Sequence, residues 1–149
     1  MAALRTRVTV SETGQSPFAV RIEMGAQEIL GDEPAAAGGG GLGPNPFDLL
    51  VAALAECTAM TVRWYARRHD LPLEHVEVVV DHTRRLVAGA AEPVDVFDKV
   101  VFLRGPALDE EQRARLIDAA AHCPIQRLLE GSPLINTRPG RPLGELFDR

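Results

Sequence analysis

The run from Leu49 to Trp64 constrains this chain more than any other stretch. Behind Pro46, the residues Leu50, Leu54, Cys57, Met60, Thr61 and Trp64 recur at helical spacing, with Ala53 beside them. Leu49, Val51, Ala55, Ala59 and Val62 widen the apolar surface around the same helix. In a chain of 149 residues, so apolar a helix is expected to be largely buried, with Cys57 facing inward among its neighbours. That length suits one domain with a core of useful size, since a chain near it buries roughly 70% of its unfolded surface. The run carries Glu56 and Arg63 and falls short of the ~20 apolar residues of a membrane span, so no membrane partner is expected. The N-terminus MAALRTRVTV lacks the long apolar stretch of a signal peptide, which points to the cytoplasm. A net charge of −5 makes nucleic acid an unsuitable partner, because phosphate binding needs a surplus of Lys and Arg on one face.

Around this helix the chain alternates between strand and helix signals. Val8 and Val10, then Phe18, Val20, Ile22 and Met24, alternate with polar residues, and 27–30 offers a third short strand. Glycines at 38–41 and 43 predict a mobile connection; the Lys-Ser/Thr of a phosphate-binding loop does not follow them. Arg67, Arg68 and His69 suit the negative end of the long helix, and Asp70 and Pro72 stop it. Val76, Val78 and Val80 begin a strand running to about Leu86, and 94–103 makes its antiparallel mate. Asp109 and Gln112 form a capping box for a second helix running to His122 or Cys123. Pro124 then makes Cys123 the cap of a short helix over 125–129, and Leu134 to Thr137 reads as a last strand. The order is α+β, a single domain over 1–137 followed by a Pro/Gly-rich tail over 138–149.

The chain has two cysteines, Cys57 and Cys123, and in a reducing compartment such a pair is seldom a structural staple. They are either buried core thiols or a redox pair. A thiol attacks as the thiolate, so a reactive cysteine needs surroundings that favour the charge. Cys123, at a helix start with Arg127 one turn on, has such surroundings in its local sequence. Cys57 has none, and Glu56 beside it carries the wrong sign. His69, His75, His82 and His122 form no zinc motif, and no C-x-x-C or G-x-S-x-G is present, so no metal site is expected. The acidic groups Asp32-Glu33 and 109–111 fit a turn and a helix start.

Three segments resemble a known family. The run from Gly43 to Thr61, GPNPFDLLVAALAECTAMT, is similar to the G-[PT]-x-P-x-[ED]-L-L-x-A-A-L-x-x-C-T-x-M-T segment of the OsmC/Ohr family. Asp32-Glu33-Pro34 before a glycine-rich loop also resembles theirs, as does the run from His122 to Leu129 their C-P-[VI]-x-R segment. The resemblance extends from roughly Phe18 to Thr137. It implies an OsmC-like fold, with antiparallel sheets wrapped around a buried central helix, and an intertwined homodimer with active sites at the interface. It further implies a thiol-dependent peroxidase of oxidative-stress defence. Cys57 would attack an organic hydroperoxide, Cys123 would resolve the product as a disulfide, and an external dithiol reductant would restore both, with no cofactor.

One departure stands out. The organic hydroperoxide members activate the first cysteine with a Glu ten residues before it and an Arg on an early strand. Here Phe47 stands at the Glu position, with Asp48 next, and Phe18 near the Arg position, with Arg21 three residues on. Arg21 and Asp48 are therefore the candidate substitutes for thiolate activation, and Phe18, Phe47, Leu50 and Met60 the candidate lining of an apolar substrate pocket. Without a charge partner, burial raises a thiol's pKa and slows its attack. The alternative reading is the same dimeric scaffold used as a binding module for an apolar small molecule.

Overall fold

A computed structural model describes residues 5–140; residues 1–4 of the expected domain and 141–149 of the expected tail lie outside the described residues. The chain opens with an antiparallel meander of β1 (Thr9–Glu12), β2 (Val20–Met24) and β3 (Gln27–Gly31), with β2 in the middle. The register places Val10 opposite Ile22, and Ile22 opposite Ile29, so one apolar row crosses the sheet. Only Ile22 and Gly31 within these strands are buried, and the sheet covers little core of its own.

The glycine-rich stretch is not the mobile connection its composition suggests. The buried Asp32 carboxylate accepts hydrogen bonds from Ser16 Oγ at 2.8 Å, from Glu33 and Gly40 N–H at 2.9 Å, and from Leu42 N–H at 3.3 Å. Burial works against its charge, but these four bonds outweigh it and hold the carboxyl below its usual pKa. Two of the glycines are required by space: a Cβ at Gly39 would collide with the Glu33 carbonyl, and one at Gly43 with the Leu30 carbonyl. The sequence shows glycines; a single buried carboxylate turns them into a fixed loop.

Helix α1 (Pro46–Arg68) starts as its sequence predicts. Asn45 and Asp48 bond each other's backbone N–H reciprocally, Pro46 follows the cap, and Arg67 and Arg68 close the last turn. Its burial corrects the expectation. The buried stripe is Leu54, Thr58, Val62 and Ala66, whereas Met60 and Trp64 are about 60% exposed (62% and 59%) and Cys57 and Leu50 lie between. The helix is apolar on nearly every side, so periodicity alone could not pick the side that packs. By length and composition α1 is also long and apolar enough to cross a bilayer, beyond what the Leu49–Trp64 run indicated. Here it is a core helix, packed against β4 (His75–Arg85), α2 (Glu110–Ala120) and α3 (Pro124–Glu130).

β4 and β5 (Val94–Arg104) form a long antiparallel hairpin, in register from His75 opposite Arg104 to Arg85 opposite Val94. Val62 and Ala66 of α1 and Leu116 and Ala120 of α2 meet over it, with Leu73 and Leu108 filling the ends. The Asp109–Gln112 capping box starts α2, and Cys123 caps α3 as predicted, although α2 ends at Ala120, short of the expected His122 or Cys123. The expected strand over Leu134–Thr137 is not formed: Leu134 is 93% and Ile135 86% exposed. A strand needs an edge to take its N–H and C=O groups, and among the described residues these pair with none. The described residues thus make an α+β fold with two antiparallel sheets.

Candidate active site: two thiols between α1 and α3

Packing of α3 on α1 brings the two cysteines together from distant parts of the sequence. Both are free thiols. Cys123 is wholly buried at the cap of α3, where its Sγ accepts the Gln126 N–H at 3.4 Å and lies 3.4 Å from Thr58 Oγ1. Cys57, half-buried in the middle of α1, is the neighbour in sequence of Thr58, whose hydroxyl touches the Cys123 sulfur.

Their acidities diverge. Burial pushes the Cys57 thiol up, and the neighbouring Cys123 adds to this, although the Ile125 N–H and the Thr61 hydroxyl act in the opposite direction. Burial also opposes charge on Cys123. There it is outweighed by hydrogen bonds from Thr58, the Gln126 N–H and Cys57, and by the charge of Lys99, so the Cys123 thiol falls below its ordinary value.

Lys99 was not legible as a site residue. It reaches from β5 to within 3.1 Å of Thr58 Oγ1, 2.7 Å of the Ala120 carbonyl and 2.6 Å of Gln126 Oε1, which uses all three ammonium donors. One signal could have found it: Lys99 is the single lysine among 16 Lys and Arg residues, set in a strand otherwise rich in Val and Phe. Arg127, expected from its spacing to act on Cys123, is not what lowers that thiol; the charge comes from Lys99 across the fold.

Cys57 opens onto a groove of about 650 Å³, lined by Met60, Thr61, Trp64, His122 and Ile125 among others. Of the four expected pocket residues, only Met60 borders this groove. Phe18 lines a separate cavity on the meander, Phe47 stacks on His82 with ring centroids 5.0 Å apart, and Leu50 is half-buried along α1. The two expected activating residues are also engaged elsewhere. Arg21 pairs with Glu28 across the meander at 3.5 Å, and Asp48 is occupied with the α1 cap. His122 turns its Nδ1 to the Asp118 carbonyl, away from its neighbour Cys123. Among the described residues, no group of three or more His, Cys, Asp or Glu is arranged to hold a metal ion.

The family model described as OsmC-like protein matches residues 38–138, a stretch that contains both cysteines and, among the described residues, α1, α2 and α3. The chain belongs to the OsmC-like family. Solved structures carry the likeness on into the meander. An OsmC-like protein from Mycoplasma pneumoniae superposes with a TM-score of 0.70 at 17% identity, covering 87% of this chain and 89% of that one. An organic hydroperoxide resistance protein from Bacillus subtilis gives 0.57 at 23% identity, covering 87% and 93%. One from Legionella pneumophila gives 0.61 at 20%, covering 88% and 93%. At these identities the likeness concerns the fold. No curated protein matches the sequence.

Proposed function

We propose that the protein is a thiol-dependent peroxidase that reduces organic hydroperoxides in oxidative-stress defence. The observation that carries this is the joining of two distant cysteines into one site of unequal acidity, with Cys57 on an apolar groove and Cys123 sealed behind it. Cys57 is the sulfur a peroxide can reach. Its attack breaks the O–O bond, releases the alcohol and leaves a sulfenic acid. Cys123 condenses with that acid to a disulfide, and an external dithiol restores both thiols by exchange. Such a cycle fits the cytoplasm, where dithiols keep sulfur reduced. Met60 and Trp64, exposed at the groove, support a second copy of the chain as the cover, with active sites at the interface of an intertwined homodimer whose sheets wrap the central helices.

A second reading rests on Cys57 itself. Its raised pKa slows attack, and the same groove then serves a binding module for an apolar small molecule. Turnover of cumene hydroperoxide with a dithiol, beside a Cys57→Ser control, decides between them. Peroxide loss that vanishes in the control supports the peroxidase; equal slow loss in both leaves the binding module.

A further inference from the structure

Beside β5 lies a second cavity of about 650 Å³, whose lining includes Lys99 between Phe97 and Val101 and, from the helices, Leu54, Ala120 and Gln126. The lysine is not waiting for a ligand there, since its three donors are already taken by Thr58, Ala120 and Gln126. Two of those partners also hold Cys123: Thr58 by its hydroxyl, Gln126 by its backbone N–H. An ammonium supplies three donors in a tetrahedral array from a compact charge, which the planar guanidinium used elsewhere in this chain does not.

We propose that Lys99 is a positioning residue that keeps the negative charge of the thiol pair on Cys123, making Cys123 first the base for Cys57 and then the nucleophile that closes the disulfide. The catalytic part of this rests on the peroxidase reading; the placement of charge does not. Thr58 carries the link. Its Oγ1 accepts from Lys99, and its single proton has two outlets, the Leu54 carbonyl at 2.8 Å and Cys123 Sγ at 3.4 Å. With Cys123 ionised the proton turns to sulfur; with Cys123 protonated it returns to Leu54. Other charged or titratable groups face the pair from Glu56 on α1, His122 between α2 and α3, and Glu130, which accepts from the Gln126 side chain. Lys99 is the charge among them that favours the anion.

The cycle balances. The Cys57 thiol gives its proton to the Cys123 thiolate as its sulfur bonds the terminal oxygen of ROOH. The O–O bond breaks, RO⁻ leaves, and it takes the proton back from Cys123 to become ROH. The regenerated Cys123 thiolate then attacks the Cys57 sulfenic acid; the S–S bond forms, the S–O bond breaks, and hydroxide leaves. The two electrons that reduce the peroxide come from the two sulfurs, which end as the disulfide. This arrangement accounts for a peroxidatic cysteine without the Arg and Glu, because the base is the second cysteine.

Ultraviolet thiolate titration of the reduced protein tests the assignment, and suits a sulfur that reagents cannot reach. In the full chain carrying Cys57→Ser, Cys123 should titrate below the ordinary thiol value, and below Cys57 in the Cys123→Ser protein. Adding Lys99→Met to Cys57→Ser should raise the Cys123 midpoint by about one pH unit, with Lys99→Arg falling between. Thr58→Val should move it the same way and serves if Lys99→Met does not fold. In the two-cysteine protein, Lys99→Met should lower peroxide turnover about tenfold near pH 7 and shift its pH profile upward. A Cys123 that titrates at or above the ordinary thiol value overturns the proposal without any Lys99 variant. An unmoved titration on Lys99→Met, in a protein that consumes peroxide, overturns it while the peroxidase reading stands. A moved titration without peroxide consumption supports the charge placement and removes the peroxidase reading alone.

Discussion

The two long sides of α1 are both largely apolar and meet different fates. One side, Leu54, Thr58, Val62 and Ala66, is sealed by α2 and the β4–β5 hairpin. The opposite side, Glu56, Met60 and Trp64, borders open grooves. The cysteines mark the seam: Cys123 is buried against Thr58 of the closed side, and Cys57 faces the groove of the open one. The closed side therefore supplies the buried packing and the polar contacts around Cys123, while the open side leaves Cys57 on a groove.

That division can be broken most sharply in the core. Leu116→Ala should cost about 2–5 kcal/mol in denaturant unfolding, because Leu116 is wholly buried against Val62 and its loss leaves a cavity. A cost near zero would mean that the closed side is not the structural one. Trp64→Glu comes next. It should leave the secondary structure by circular dichroism intact and, on the homodimer proposed above, shift the protein toward single copies in sedimentation equilibrium, since it places a charge on an exposed apolar face. Unfolding instead would show that the open side also bears the monomer's stability.

Smaller effects sharpen the comparison at the seam. Thr58→Val keeps the shape but removes a hydroxyl that Lys99 and Cys123 share, and should cost about 1 kcal/mol in the same unfolding assay. The smallest effect is a pH dependence. In the Cys57→Ser protein, Cys123 has a depressed folded pKa, so the unfolded chain binds more protons between that value and the ordinary thiol pKa near 9. Stability from Cys123 should accordingly be fully present above the ordinary value and lost as the pH falls through the folded one. In the Cys123→Ser protein the raised Cys57 should act oppositely, with stability lost as the pH rises from the ordinary value through the folded one. Denaturant midpoints across that range check both signs.

Local features were legible residue by residue. The Asp109–Gln112 capping box, Pro46 and Pro124 at helix starts and the alternating valines of β4 each act within a few positions of themselves. Arg21 and Asp48 show the limit of that reading: both are near the expected positions in sequence, yet their side chains serve the meander pair and the helix cap. Leu134 and Ile135 have a strand pattern without a strand, because pairing belongs to the neighbour as much as to the segment. Asp32 gave no sign that four donors would converge on it, since they come from Ser16 before it and the loop after it.

Read along the chain, residue order determined the α+β element sequence as far as α3, the limits of α1 and the family, because capping, periodicity and the two cysteine segments are short-range patterns. Tertiary structure decided which side of α1 is closed, that Cys57 meets Cys123, and that Lys99 reaches them through Thr58. The physical reason is one of range. A cap or a turn is settled by neighbours a few bonds away, whereas a thiol's charge is settled by whichever donors and cations the packed helices carry to within a few ångströms of it.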